Sequence, residues 1–111
     1  MVQRADGRDK ARGKSLLSEA CKNGIDVGCF NFGVALRDGL VGPRDVTAAI
    51  ELWMRSCDRG YGAGCREVGL HHHQGDGVSQ DHAQAAQLYA IALTIAPGYE
   101  YALKGLERVA P

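Results

Sequence analysis

The chain of 111 residues has no long apolar run. No stretch approaches the roughly 20 consecutive apolar residues that a membrane-spanning helix needs. Residues 1–14 also lack the short apolar segment of a secretory signal. We therefore predict no membrane span, and either the protein stays inside the cell or a leader is missing from this chain.

An excess of charge of either sign is also lacking, since 13 basic residues balance 13 acidic ones. Without a basic excess no general field attracts a polyanion, so we predict no nucleic-acid partner. The composition, 45% hydrophobic and 23% charged, is that of an ordinary globular protein. The length fits one domain with a real core.

Several catalytic motifs are missing as well. Serine β-lactamases need the motif S-x-x-K. The serines of this chain are Ser15, Ser18, Ser56 and Ser79, and none is followed by a lysine three residues later. The cysteines do not form the C-x-x-C spacing of thiol oxidoreductases. We predict no catalytic residue and no cofactor.

What the sequence does contain is a period of 36 residues. Shifted by this distance, Cys21 coincides with Cys57 and Cys29 with Cys65. Three further series of identical residues keep the period: Asp9, Asp45 and Asp81; Leu16, Leu52 and Leu88; Gly33, Gly69 and Gly105. A fixed period in this range is typical of stacked helical arrays, which usually bind rather than catalyse.

Each period is predicted to supply an antiparallel pair of helices. Gly24 and Gly60 are placed to end one helix, and Asp45 and Asp81 to cap the start of another. Gly28 and Gly33 are predicted to let neighbouring helices approach closely. The predicted helices cover residues 9–23, 28–37, 46–58, 64–74, 82–96 and 101–109.

The fold class that follows is all-α, a superhelical solenoid of about six helices in antiparallel pairs. Residues 1–8 are predicted to be a flexible N-terminus, and residues 9–111 the repeat domain. Within it we expect a capping half-repeat at 9–23, repeats at 24–59 and 60–96, and a C-terminal half-repeat at 97–111. On this division we expect residues 9–23 to be the second half of a repeat whose first half is absent.

The cysteines lie at the predicted bends, with seven residues between Cys21 and Cys29 and between Cys57 and Cys65. The tight end of a helix pair can bring two Cα atoms within the roughly 4.4–6.8 Å that a disulfide needs. Two disulfides are therefore favoured. Free buried thiols remain an alternative, and a four-thiolate zinc site is disfavoured because its ligands would have to span two repeats.

Two runs of sequence carry a resemblance to a known family: S-C-D-R-G-Y-G-A-G-C-R-E-V-G-L, then G-D-G-V-S-Q-D-H-A-Q-A-A-Q-L-Y. They resemble the Sel1-like repeat, a relative of the tetratricopeptide repeat. The matching positions are Gly60, Gly64, Gly69, Gly75, Gly77, Val78, Asp81 and Ala85. The chain departs from the pattern at His72, where an aromatic residue is expected, and at Leu40 and Val41 in the first turn.

The paired cysteines further resemble the cysteine-rich branch of that family, which includes the secreted Helicobacter cysteine-rich proteins and a mitochondrial cytochrome oxidase assembly factor. In that branch each pair forms a disulfide that ties helices together. Oxidised pairs and a missing leader would place this protein in the periplasm or outside the cell, and reduced thiols in the cytoplasm.

The resemblance implies a protein-interaction module with a protein or peptide partner. The alternatives are a weak penicillin-binding or β-lactamase-type hydrolase, by analogy alone, and a small thiol- or metal-handling assembly factor. Oligomeric state is not predicted. In such solenoids the first helix of each repeat lines the concave side, which would present these partner-binding residues: Phe30, Asn31, Val34, Arg37, Asp38, Arg66, Glu67, Leu70, His73 and Gln74.

Three consecutive histidines, residues 71–73, raise the question of a metal site together with His82, Glu67 and Asp76. Consecutive residues of a helix point about 100° apart, so the three histidines cannot all bind one ion. By repeat alignment His71 and His72 lie near the packing side and His73 is exposed. We predict no metal site.

Overall fold

The computed structural model describes residues 7–109, which form helices and turns without a strand. Their six helices are α1 (Gly7–Lys22), α2 (Asp26–Asp38), α3 (Val46–Asp58), α4 (Gly62–Gln74), α5 (His82–Ile95) and α6 (Glu100–Val109). The predicted all-α class with about six helices is confirmed. Residues 1–6 of the predicted flexible N-terminus lie outside the described residues, and α1 already begins at Gly7.

Consecutive helices pack against one another along the chain, and α4 additionally contacts α6. The described part extends 50 × 26 × 25 Å, which is the elongated shape of a solenoid. Arg37 of α2 pairs with Glu67 of α4, and the Arg66 guanidinium of α4 lies over the ring of Tyr101 in α6. The first helices of successive repeats therefore lie side by side.

Aspartates cap both second helices as predicted. Asp45 Oδ1 accepts a hydrogen bond from the Ala48 amide at 3.0 Å, and Asp81 Oδ1 accepts one from the Gln84 amide at 3.0 Å. Each bond satisfies a donor that the first turn of a helix leaves free. Gly24 takes a left-handed φ of +82° after α1, which is the helix stop that the sequence predicts.

The first helices begin two residues earlier than predicted, because the glycines taken as their starts lie inside the first turn. A Cβ added at Gly64 would lie 2.5 Å from the Trp53 carbonyl oxygen, and one added at Gly28 would lie 2.9 Å from the Ala20 Cβ. Both glycines are thus required by the close approach of α1 to α2 and of α3 to α4. The predicted packing role of Gly28 is therefore confirmed.

One large aromatic residue per repeat fills the core between the two rows of helices. Trp53 of α3 is fully buried, and Tyr89 of α5, 36 residues later, is 1% exposed. A Cβ added at Gly33 would lie 2.5 Å from Trp53 Nε1, and one added at Gly105 would lie 2.5 Å from Tyr89 Cζ. The predicted packing role of Gly33 is confirmed, and the same arrangement recurs in the next repeat.

Among residues 7–109, no helix has the length and apolar character needed to cross a bilayer.

Candidate functional site

Both cysteine pairs form disulfides at the bends between helices. The Cα atoms of Cys21 and Cys29 lie 4.4 Å apart, and those of Cys57 and Cys65 lie 4.7 Å apart. All four side chains are buried, and residues 7–109 contain no free cysteine. The thiols are thus bonded to each other and do not provide zinc ligands. The α5–α6 junction has Leu93 in place of the first cysteine and is packed without a bridge.

The ten residues predicted to bind a partner all lie on α2 and α4. Three of them are exposed: Asn31, Asp38 and Gln74. Six are half-buried: Phe30, Val34, Arg37, Arg66, Leu70 and His73. Glu67 is buried. We call the solvent-facing side of α2, α4 and α6 the inner face. That these residues contact a partner stays a prediction.

Glu67 lies at the centre of the inner face with only 6% of its surface exposed. Its carboxylate accepts a hydrogen bond from Arg37 Nη1 at 3.1 Å and another from Arg66 Nη1. A buried carboxylate is tolerated when it is paired in this way. Glu67 therefore positions two arginine side chains and is itself little accessible to a partner.

The guanidinium of Arg37 also stands over the indole of Trp53, 5.5 Å from the ring centroid, and its Nε donates to Asp38 Oδ1 at 2.8 Å. The bond to Asp38 is the largest cause of a raised pKa for Arg37, and the same bond lowers the pKa of the Asp38 carboxyl group. Both groups are therefore charged at neutral pH, and the α2 end of the inner face carries a positive and a negative charge.

Phe30 lies at the first-repeat end of the inner face. Its ring centroid lies 6.3 Å from that of Trp53 and 5.5 Å from that of Tyr61, and its carbonyl oxygen accepts a bond from Trp53 Nε1 at 3.1 Å. The packing leaves Phe30 half-buried. Part of its apolar ring is therefore open to solvent at this end.

A cleft of about 270 Å³ opens at the other end, between α4 and α6. The residues that line it are Arg66, Leu70, Tyr89, Tyr101, Lys104, Gly105 and Arg108. Four of these residues lie on α6, and the sequence analysis did not predict any of the four as part of a site: Tyr101, Lys104, Gly105 and Arg108. The spacing of three and four residues between Tyr101, Lys104 and Arg108 could have placed them on one side of that helix.

The histidines are separated by the fold. His71 is buried, and its Nδ1 donates to the Glu67 carbonyl oxygen at 2.8 Å. His73, predicted to be exposed, is half-buried because its ring packs against His82 with centroids 5.1 Å apart. Within residues 7–109, no three His, Cys, Asp or Glu side chains come together as metal ligands would.

No serine of the described residues has a partner that could activate it. Ser56 is fully buried, and its Oγ has no hydrogen-bond partner in this part of the chain. Ser15 and Ser79 are exposed. Across residues 7–109 no hydrogen bond joins a serine hydroxyl to a lysine or histidine that could act as a base.

The helix pairs, their period and their cross-linked bends define an α-helical repeat protein of the solenoid class. Within that class, the family model described as Sel1 repeat matches residues 27–61 and 62–94. These residues make up more than half of the chain, and the protein belongs to the Sel1 repeat family. No curated protein matches the chain.

Solved structures of other proteins share the fold. A protective antigen present in uropathogenic Escherichia coli strains, which displays an SLR fold, superposes with a TM-score of 0.80 and 23% sequence identity over 89% of this chain. A Sel1 repeat protein from Oxalobacter formigenes gives a TM-score of 0.77 and 20% identity over 88% of this chain. The chain spans only 21% and 39% of the lengths of those two proteins.

Proposed function

We propose that this chain is a protein-interaction module whose inner face binds an extended segment of a protein partner. The observation that carries the proposal is the row of interacting side chains that runs across all three first helices. Arg37 of α2 pairs with Glu67 of α4, the adjacent Arg66 pairs with the same carboxylate, and Arg66 reaches Tyr101 of α6.

The side chains of the inner face that surround this row suit a peptide ligand. Half-buried apolar side chains at Val34 and Leu70 lie beside charged groups and the exposed amides of Asn31 and Gln74. Protein-binding surfaces combine apolar contact area with polar groups that fix register in this way. A surface held in place by ion pairs and disulfides also loses little side-chain freedom on binding, which favours affinity.

Selection from a random peptide display library with the purified, oxidised protein tests the proposal. We expect enriched sequences whose affinity falls about tenfold or more in the Val34→Ser/Leu70→Ser variant, since buried apolar contacts carry much of the binding free energy at an interface. The matched control is Ile91→Ser/Ile95→Ser, which removes two exposed apolar side chains from α5.

Circular dichroism of both variants shows whether either has lost the fold. The proposal is wrong if no sequence is enriched above background. It is also wrong if the α5 variant, and not the inner-face variant, loses the selected peptides.

The two disulfides further support residence in an oxidising compartment, the periplasm or the outside of the cell. Thiol titration of the native protein, purified without reductant, tests this part of the proposal. We expect no thiol that reacts under denaturing conditions. Four reactive thiols would place the protein in the cytoplasm.

A further inference from the structure

The two ends of the inner face are built on equivalent positions but differ in what fills them. Phe30 and Arg66 are 36 residues apart and occupy the same place in their repeats. Phe30 packs against Trp53 and Tyr61 at its end and is half-buried. Arg66 extends to Tyr101, with its guanidinium carbon 5.2 Å from the ring centroid, and the space beside it stays open.

The cleft that results is cationic. Arg66, Lys104 and Arg108 line it, and no carboxylate does among the described residues. Burial raises the pKa of the Tyr89 phenol in its floor. The charges of Arg66 and Arg108 act to lower that pKa and the Glu67 carboxylate acts to raise it, so two cations and one anion lie near the floor.

Only part of this positive charge is neutralised. Glu67 is shared between Arg66 and Arg37, and Lys104 lies 3.8 Å from Glu100 in an exposed pair that contributes little. Within residues 7–109, Arg108 forms no ion pair. The cleft therefore has cationic donors available to a ligand.

We propose that the α4–α6 cleft binds an aspartate or glutamate side chain of the partner, so that the segment bound by the inner face is an acidic peptide. This inference rests on the proposed function and names the partner's chemistry. Arginine donates two parallel hydrogen bonds to a carboxylate, and charge-assisted bonds of this kind are stronger than neutral ones.

The dimensions and charge distribution favour one side chain over a polyanion. A cleft of about 270 Å³ is small, so it takes one side chain rather than a continuous run of phosphates. The chain as a whole has no net charge, whereas a nucleic-acid surface needs a basic patch along the backbone of its ligand. Leu70 and Tyr101 offer apolar walls for the residues flanking the carboxylate.

The test uses the strongest peptide from the display selection, labelled with fluorescein, and a second version in which every Asp and Glu is replaced by Asn and Gln. Fluorescence anisotropy gives both affinities for the native sequence, for Arg108→Gln and for Arg55→Gln, which changes an exposed arginine of α3. Thermal unfolding checks that both variants remain folded.

We expect selected peptides rich in Asp and Glu. Their affinity should fall about tenfold in Arg108→Gln and stay unchanged in Arg55→Gln, since a charge-assisted bond is lost only in the first. The amide version should bind the native protein about tenfold more weakly and be indifferent to Arg108→Gln.

Selected peptides without acidic residues that still require Val34 and Leu70 would overturn this inference and leave the proposed function standing. Equal loss of the acidic and amide peptides in Arg108→Gln would also overturn it. An oligothymidylate that displaces the peptide at equal concentration would assign the cleft to nucleic acid instead. If the library yields no binder, both proposals fail together.

Discussion

The first and second repeats follow one 36-residue plan and present different surfaces. In the first, the apolar ring of Phe30 packs against Trp53. In the second, Arg66 takes the place of Phe30, the floor is Tyr89, and a cationic cleft remains. Positions that hold the helices together are thus repeated, while positions that face solvent on the same helices differ.

The repeated positions are those where backbone geometry leaves little choice. At Gly28 and Gly64 the neighbouring helix lies so close that a Cβ would clash with it. Asp45 and Asp81 cap the starts of α3 and α5. A substitution at such a position should affect stability, and one at a varied position should affect binding. The following predictions test this division, beginning with the largest effect.

Gly64→Ala should lower the free energy of unfolding by about 3 kcal/mol, because the new Cβ would meet the Trp53 carbonyl oxygen, which belongs to the backbone and cannot move aside. Urea unfolding measures the change. Gly62→Ala, in the same turn, is the matched control, because its Cβ would lie 3.6 Å from its nearest neighbours, an ordinary contact. Equal effects of the two substitutions would show that the close approach is not what requires Gly64.

Replacing Cys57 and Cys65 together by alanine should lower the free energy of unfolding by about 2.5 kcal/mol, since the unfolded chain regains the freedom of a short closed loop. The Cys21/Cys29 pair closes a loop of equal length and should behave alike. Chemical denaturation of the oxidised proteins gives both values. A double-alanine variant as stable as the native protein would contradict a stabilising role for the bridges.

Glu67→Ala should lower the free energy of unfolding by about 2 kcal/mol, because Arg37 and Arg66, both largely buried, lose a hydrogen-bond acceptor. Asp38→Ala removes an exposed carboxylate from the same Arg37 and should change stability little. Thermal unfolding of the two variants at neutral pH compares the stability lost with a buried carboxylate, Glu67, and with an exposed one, Asp38. A larger loss for Asp38→Ala would reverse the assigned roles.

Asp45→Ala and Asp81→Ala should each cost about 1 kcal/mol through the lost N-cap, with similar values in the two repeats. Asp58→Ala, at the exposed C-terminal end of α3, is the control and should not destabilise, since an acidic residue there is unfavourable to the helix dipole. Unfolding curves resolve the difference. A large disparity between Asp45 and Asp81 would mean that the repeats do not share this element.

The sequence allowed the framework to be predicted because local chemistry determines it. The bounds of α3, Val46–Asp58, follow from a capping aspartate and an apolar helical pattern, and they match the prediction. The starts of α2 and α4 were placed too late, because a glycine in a first turn looks like a helix boundary when the neighbouring helix is unseen.

The inner face was only partly predictable. Its α2 and α4 residues follow from the period, whereas the cleft depends on α6, where Tyr101 replaces the second cysteine. The pairing of Arg37 with Glu67 joins residues 30 positions apart. No local spacing indicates such a pair, and it becomes visible only when α2 and α4 are placed side by side.

The most direct test of inner-face binding is amide hydrogen exchange of the oxidised protein with and without a selected peptide. Bound peptide should slow amide exchange along α2, α4 and α6, the helices of the inner face. It should leave exchange along α3 and α5 unchanged. Protection confined to α3 and α5, or none at saturating peptide, would contradict the assignment of the inner face as the binding surface.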